Sequence, residues 1–274
     1  MPHVETRDGT RIYVKEWNGG GRPVVLLHGW PLNADSWDDQ ALSLAAAGHR
    51  VLAYDRRGFG RSDQPWTGYE YDGLSDDLAD VLEATGAADA ALVGFSMGGG
   101  EVARYMSRHG GKGVRQAVLV SSIVPYVLQT PDNPDGVPAE QLDEMTVQMK
   151  TDRAAFFTTF LKQFYGSGVI FQSVSDEVLQ WTHNLAMMAG LHPTLACAKA
   201  FATTDFRTEL TAFTVPTLII HGTSDATVPI DASARPAARG IPQATLREYE
   251  GAPHGLNVTH KDQLSQDLLA FLGR

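Results

Sequence analysis

Ser96 stands in Gly94-Phe95-Ser96-Met97-Gly98, a G-x-S-x-G pentapeptide between an apolar, strand-like run over 90–93 and a helix-like stretch over 98–108. A sharp strand-to-helix turn puts such a serine in a strained backbone conformation and lifts its hydroxyl clear of the sheet. The crowding there favours glycine two residues before and two after. A serine hydroxyl is a weak nucleophile, so it needs a base, and the base needs a group that fixes its tautomer. Two later residues fit in the chain order serine, acid, histidine. Asp225 closes His221-Gly222-Thr223-Ser224-Asp225, just beyond an apolar strand-like run, and His254 stands in Gly251-Ala252-Pro253-His254-Gly255. The chemistry expected of the three is acyl transfer through a serine ester.

The oxyanion of that reaction needs hydrogen-bond donors. One expected donor is the backbone N–H of Met97, next after the serine. The second is expected from His28-Gly29-Trp30-Pro31-Leu32, where Gly29 permits the turn. Proline has no N–H, so Pro31 points to Trp30, whose indole is also expected to wall the pocket. Pro31 also restrains Trp30 and so the direction of its carbonyl.

Other candidates fit structural roles. His28 and His221 end strands and read as packing or loop-orienting residues. His260 is expected to begin the last helix and Asp231 to cap or charge the start of another. Asp205 lies among the intervening helices. The arginines of Asp55-Arg56-Arg57-Gly58-Phe59-Gly60-Arg61-Ser62 read as ion-paired loop residues, since no phosphate-binding glycine motif is present. Cys197 reads as core, as do most of Phe156, Phe157, Phe160, Phe164 and Trp181. No group of His, Cys, Asp and Glu has metal-ligand spacing.

The elements that must position these residues show in the hydrophobic pattern. Strands are expected over 3–6, 11–17, 23–27, 50–54, 90–93, 116–120, 215–221 and 245–250. Asp8-Gly9 marks a hairpin turn between the first two. Helical spacing covers 35–47, 71–85, 98–108, 231–239 and 261–272. This alternation predicts an α/β fold with a mostly parallel eight-stranded sheet flanked by helices. It breaks over 123–213, where only helical stretches appear, at 140–150, 153–165, 176–189 and 194–203. The expected organisation is a core of 1–122 and 214–274 with a helical cap, 123–213, inserted in it. Both Asp225 and His254 then leave C-terminal strand ends, the edge from which Ser96 projects and where such sheets bind ligands.

With 22 Lys+Arg against 32 Asp+Glu the net charge is −10, which disfavours nucleic acid and anionic membranes as partners. One cysteine excludes an intrachain disulfide framework. No signal-peptide pattern or bilayer-length apolar run is seen, so a soluble cytoplasmic protein is expected.

The segments HGWPLNADSW, AYDRRGFGRSDQPWTGYEYD, LVGFSMGGGEVARYMSRHG, TDFRTEL, VPTLIIHG and APHGLNVTH carry a resemblance, as do DNPDGVP and ACAKAFATTDFR. Together they span nearly the whole chain. The sequence resembles the bacterial cofactor-free haloperoxidase, perhydrolase and aryl-esterase group of α/β-hydrolases. The resemblance implies the α/β-hydrolase fold, a Ser96-Asp225-His254 triad, an apolar acyl pocket and neither metal nor haem. It implies places in that pocket for Phe164, Thr227 and Val228. The implied reactions are hydrolysis of small aryl and alkyl esters and formation of peracids from carboxylic acids and hydrogen peroxide; the peracids oxidise halide. Homo-oligomers are implied too. The acid loop HGTSDATVP departs slightly, since relatives more often carry an extra Gly or Asp before the acid. A lactam or lactone hydrolase would keep the same triad, and a ligand receptor could retain it. A dehalogenase or epoxide hydrolase would carry Asp at position 96.

Overall fold

A computed structural model describes residues 3–17, 19–168 and 172–273. Eight strands form one sheet: β1 (His3–Glu5), β2 (Arg11–Trp17), β3 (Pro23–Leu27), β4 (Arg50–Tyr54), β5 (Ala90–Phe95), β6 (Val114–Val120), β7 (Thr217–Gly222) and β8 (Ala244–Tyr249). Their order is β1-β2-β4-β3-β5-β6-β7-β8. β1 and β2 are antiparallel, as are β2 and β4; every later pairing is parallel. The hairpin forms as expected at Asp8-Gly9, where Gly9 has φ 84° and Thr6 N–H donates to Thr10 O at 2.9 Å.

β3 and β5, at the centre of the sheet, carry no charged or polar side chain because helices cover both faces. Val24, Val25 and Leu26 of β3 are wholly buried, as are Leu92 and Val93 of β5. The edge strand β8 instead shows partly exposed and exposed positions along most of its length. The flanking helices are α1 (Asp38–Ala46), α2 (Tyr71–Thr85), α3 (Met97–Arg108), α7 (Ala234–Gly240), α8 (Leu256–Thr259) and α9 (Lys261–Leu272). α2 buries Leu74, Leu78, Val81 and Leu82 on one face and ends at Gly86, with φ 63°.

Between β6 and β7 lie α4 (Ala139–Phe164), α5 (Asp176–Met187) and α6 (Leu191–Thr203). Among the described residues only the isolated bridges Leu128–Val137 and Thr130–Asn133 occur outside the named strands. α4 is two helices end to end. Asp152 is non-helical, at φ −154° and ψ 90°, and its Oδ1 accepts the Ala155 N–H at 3.0 Å. That side chain starts the second half, which accounts for the break expected between 150 and 153.

One expected helix start is displaced. α7 begins at Ala234, three residues after Asp231, because Pro236 has no N–H to donate to residue 232. The turn over 229–233 precedes it, and Asp231 accepts from Arg235 Nη1 at 2.7 Å instead of capping. The arginine-rich loop is ion-paired as expected: Arg61 with Asp55 at 2.7 Å, and Arg57 with Asp77 and Asp8. Cys197 is buried in α6. Among the described residues no helix is long and apolar enough to cross a membrane.

Candidate active site

Ser96 sits between β5 and α3 with φ 53° and ψ −117°, a backbone conformation that non-glycine residues rarely adopt. The glycines around it follow from contact. A Cβ on Gly94 would lie 2.5 Å from Gly98 O, and one on Gly98 would lie 2.5 Å from Leu27 O. Ser96 N–H donates to Val120 O at 2.9 Å, pinning the turn to the end of β6. The positive end of the α3 dipole faces the same point.

His254 follows β8 and is 1% exposed. Its Nε2 lies 2.9 Å from Ser96 Oγ and its Nδ1 lies 2.7 Å from Asp225 Oδ2. With Nδ1–H donated to the carboxylate, Nε2 is left to accept the serine proton. Asp225 Oδ1 accepts from Thr227 N–H at 2.9 Å and Val228 N–H at 2.8 Å. Burial by itself would push the Asp225 carboxyl up. The charge of His254 and the hydrogen bonds from His221 and His254 outweigh it, holding the group well below the usual carboxylate range. A hydroxyl, imidazole and carboxylate in this sequence can relay a proton away from an attacking oxygen.

Met97 is the first residue of α3, where a helix leaves N–H groups without an intrahelical acceptor. Trp30 lies in the loop after β3, and its peptide bond to Pro31 is cis. Among the described residues, no hydrogen bond takes up the N–H of either Trp30 or Met97. His28 at the root of the loop is clamped by Arg56. The Arg56 N–H donates to His28 Nε2 at 2.9 Å, and Arg56 Nη2 donates to His28 O at 2.6 Å. His28 Nδ1 therefore carries the proton that meets Gly29 O at 2.9 Å. Glu101 accepts from Arg56 Nε at 2.6 Å and Tyr54 Oη at 2.7 Å. Burial and the Arg56 charge push the His28 imidazole well below its ordinary range. The loop-orienting role expected of His28 is what these bonds describe.

A cavity of about 240 Å³ opens over Ser96 and His254. Trp30, Phe156, Phe160, Phe201 and Val228 are among its apolar walls; Thr227, Gln141 and Gln163 are among its polar ones. The Trp30 indole is held by its Nε1 donating to Thr194 O at 3.0 Å and by edge contacts with Phe157, Phe160 and Phe201. Thr227 and Val228 border the cavity. Phe164 does not. It is fully buried, its ring centroid 4.9 Å from that of His254 and 5.9 Å from that of Phe95. Its place is one turn beyond Phe160 on α4, where it packs against the histidine ring.

Two features of the site were not singled out from sequence. The walls Val127 and Met145 come from a loop and a helix with no motif of their own, and Val137 from the DNPDGVP segment, to which no site role was given. His221, read as a packing residue, also lies 3.1 Å from Asp225 Oδ2. Its i,i+4 spacing to the acid was the available signal. Among the described residues no group of three or more His, Cys, Asp or Glu is arranged to hold a metal ion.

Residues 22–261 match the sequence pattern of the alpha/beta hydrolase fold family. A non-heme chloroperoxidase of Kitasatospora aureofaciens is 42% identical, with 100% of both chains covered. A bifunctional esterase/perhydrolase of Acinetobacter calcoaceticus is 40% identical, with 99% of each chain covered. The crystal structure of a bromoperoxidase from Bacillus anthracis superposes with a TM-score of 0.95 at 41% identity, over 99% of each chain. Likeness of this extent, end to end in sequence and in structure, makes the chain a member of the α/β-hydrolase fold family, within its group of non-heme haloperoxidases and esterase/perhydrolases.

Proposed function

We propose that the protein is a serine esterase of small aryl and alkyl esters that also accepts hydrogen peroxide in place of water, giving peracids. The observation that carries this reading is the unbroken chain from Ser96 Oγ through His254 to Asp225 beneath an apolar cavity. The esterase/perhydrolase and chloroperoxidase relatives support the choice of reactions.

In this reading Ser96 Oγ attacks the ester carbonyl while His254 Nε2 takes its proton. The amides of Trp30 and Met97 hold the oxyanion, each contributing a few kcal/mol to the barrier reduction. The proton passes from His254 to the departing alcohol, leaving an acyl-serine. Water or peroxide, deprotonated by His254, attacks that ester and releases a carboxylic acid or a peracid, and Ser96 regains its proton. A released peracid oxidises halide to hypohalous acid and returns to the carboxylic acid. No cofactor enters this scheme.

Within the same proposal, 123–213 is a cap on a core of 1–122 and 214–274. Thr227 and Val228 border the acyl site, and Phe164 supports His254. Pro31, with its fixed φ, restrains the loop that carries the Trp30 amide and carbonyl. The working setting is the cytoplasm, as the sequence pattern leads us to expect, and the working form a homo-oligomer, as the resemblance implies. Small-molecule esters or acids, water and peroxide are the partners, with no nucleic acid and no membrane.

The test is a paired assay on purified protein: p-nitrophenyl acetate hydrolysis, and peracetic acid formation from acetate and peroxide, each before and after chelation. Both activities should persist. Loss on chelation with recovery on adding a divalent ion would overturn the scheme.

A further inference from the structure

His221 is the penultimate residue of β7 and is completely buried. Its Nε2 lies 2.9 Å from Val228 O and 3.1 Å from Asp225 Oδ2. Both neighbours are acceptors, so Nε2 must carry a hydrogen. Nδ1 is buried with no hydrogen-bond partner among the described residues, so a hydrogen there would have no acceptor. Asp225 Oδ2 is the oxygen that also takes His254 Nδ1–H, at 2.7 Å. Two imidazoles therefore converge on one carboxylate oxygen, one from β7 and one from the loop after β8. A further titratable group beside His221 is Glu248, in register with it on β8 and paired with Arg235 at 2.8 Å.

We infer that His221 is a positioning residue of the esterase reaction, a second imidazole that holds Asp225 in place and shares its charge with His254. The inference rests on the esterase reading above. The tie to Val228 O and Asp225 Oδ2 joins the end of β7 to both ends of the acid loop, so it fixes where Oδ2 meets His254. The shared oxygen also sets a balance. Each hydrogen bond to a carboxylate spreads its negative charge, and what His221 takes is unavailable to the His254 imidazolium. Removing the His221 donor should strengthen the remaining bond and make His254 hold its proton more firmly.

His221→Leu removes the donor, and His221→Gln returns an N–H near the place of Nε2. In His221→Leu the acid limb of the kcat/KM profile should move to higher pH by about 0.4–1 unit, the equivalent of one hydrogen bond. kcat should fall as well. His221→Gln should bring the limb back toward the wild-type position. A wild-type limb in His221→Leu, or equal profiles in the two variants, would reduce His221 to packing and overturn the inference. Nitrogen NMR of the unaltered protein guards against a variant that fails to fold. It should find His221 protonated at Nε2 and bare at Nδ1, and the reverse tautomer would overturn the inference. Failure of the esterase reading looks different: Ser96 of the wild type would not be acylated at all.

Discussion

The Phe164 ring meets the His254 ring edge-on, with centroids 4.9 Å apart and planes at 78°, and the Phe164 carbonyl accepts the Gly255 N–H at 2.8 Å. The last turn of α4 thus holds the histidine loop by both backbone and side chain. A residue 90 positions earlier in the chain sets the wall against which the proposed base rests.

Phe164→Ala should therefore cost about 3–5 kcal/mol of stability, the range for removing a buried phenylalanine. It should lower kcat more than it changes KM, since the side chain is outside the substrate cavity. Denaturant unfolding and steady-state kinetics on one ester check both. A change confined to KM would place Phe164 in the pocket after all.

The cavity wall predicts acyl selectivity. A volume of about 240 Å³ bounded by Phe156, Phe160 and Phe201 suits short acyl groups. Acetate to butyrate esters of p-nitrophenol should show higher kcat/KM than octanoate. Phe160→Ala should narrow that gap by admitting longer chains. Octanoate leading in the wild type would contradict this reading of the walls.

Much of the site was legible because its chemistry is written in short, local signals. Gly94 and Gly98 flag the turn at Ser96, and their missing Cβ atoms are explained by contacts with Gly98 O and Leu27 O. The strand-like runs ending before Ser96, Asp225 and His254 pointed to one sheet edge for all three. Phe164 was placed by resemblance alone, because helical periodicity says which side of α4 is apolar but not which turn reaches the histidine; its ring packs against His254. His221 was under-read because a strand-end histidine looks the same whether it packs or meets an acid four residues on. The start of α7 was misjudged by weighing Asp231 as a cap over the missing N–H of Pro236, and the four residues of α8 are too few for a periodic signal.

The Asp225 carboxyl gives a signed pH dependence of stability. Its folded pKa lies below its unfolded value, so between the two the unfolded chain binds more protons there and stability rises with pH. The contribution is complete above the unfolded value, about 3.9, and is lost as pH falls through the folded one. Asp225→Asn should thus be more destabilising at pH 7 than at pH 3, as read by urea midpoints. Equal losses at both would show that the carboxylate charge contributes nothing. Esterase kcat in the same variant should drop by about 10⁴-fold, since an amide permits the wrong imidazole tautomer.

The Arg56–Glu101 pair is buried, each side chain being 1% exposed. Glu101→Gln leaves the guanidinium without its countercharge and should destabilise the fold by about 3–5 kcal/mol. Because Arg56 also donates to His28 O, the variant should lose ester turnover beyond its loss of folded protein. Thermal unfolding together with activity per folded molecule checks this; unchanged specific activity would detach the pair from the oxyanion loop.

The central claim is that Ser96 carries the acyl group, and mass spectrometry of the intact and digested protein tests it most directly. After brief reaction with an activated ester or a phosphonylating inhibitor, a single adduct should map to Ser96, and Ser96→Ala should take up none and lose ester turnover by several orders of magnitude. An adduct on another residue, or a Ser96→Ala protein that keeps more than about a tenth of wild-type activity, would contradict it.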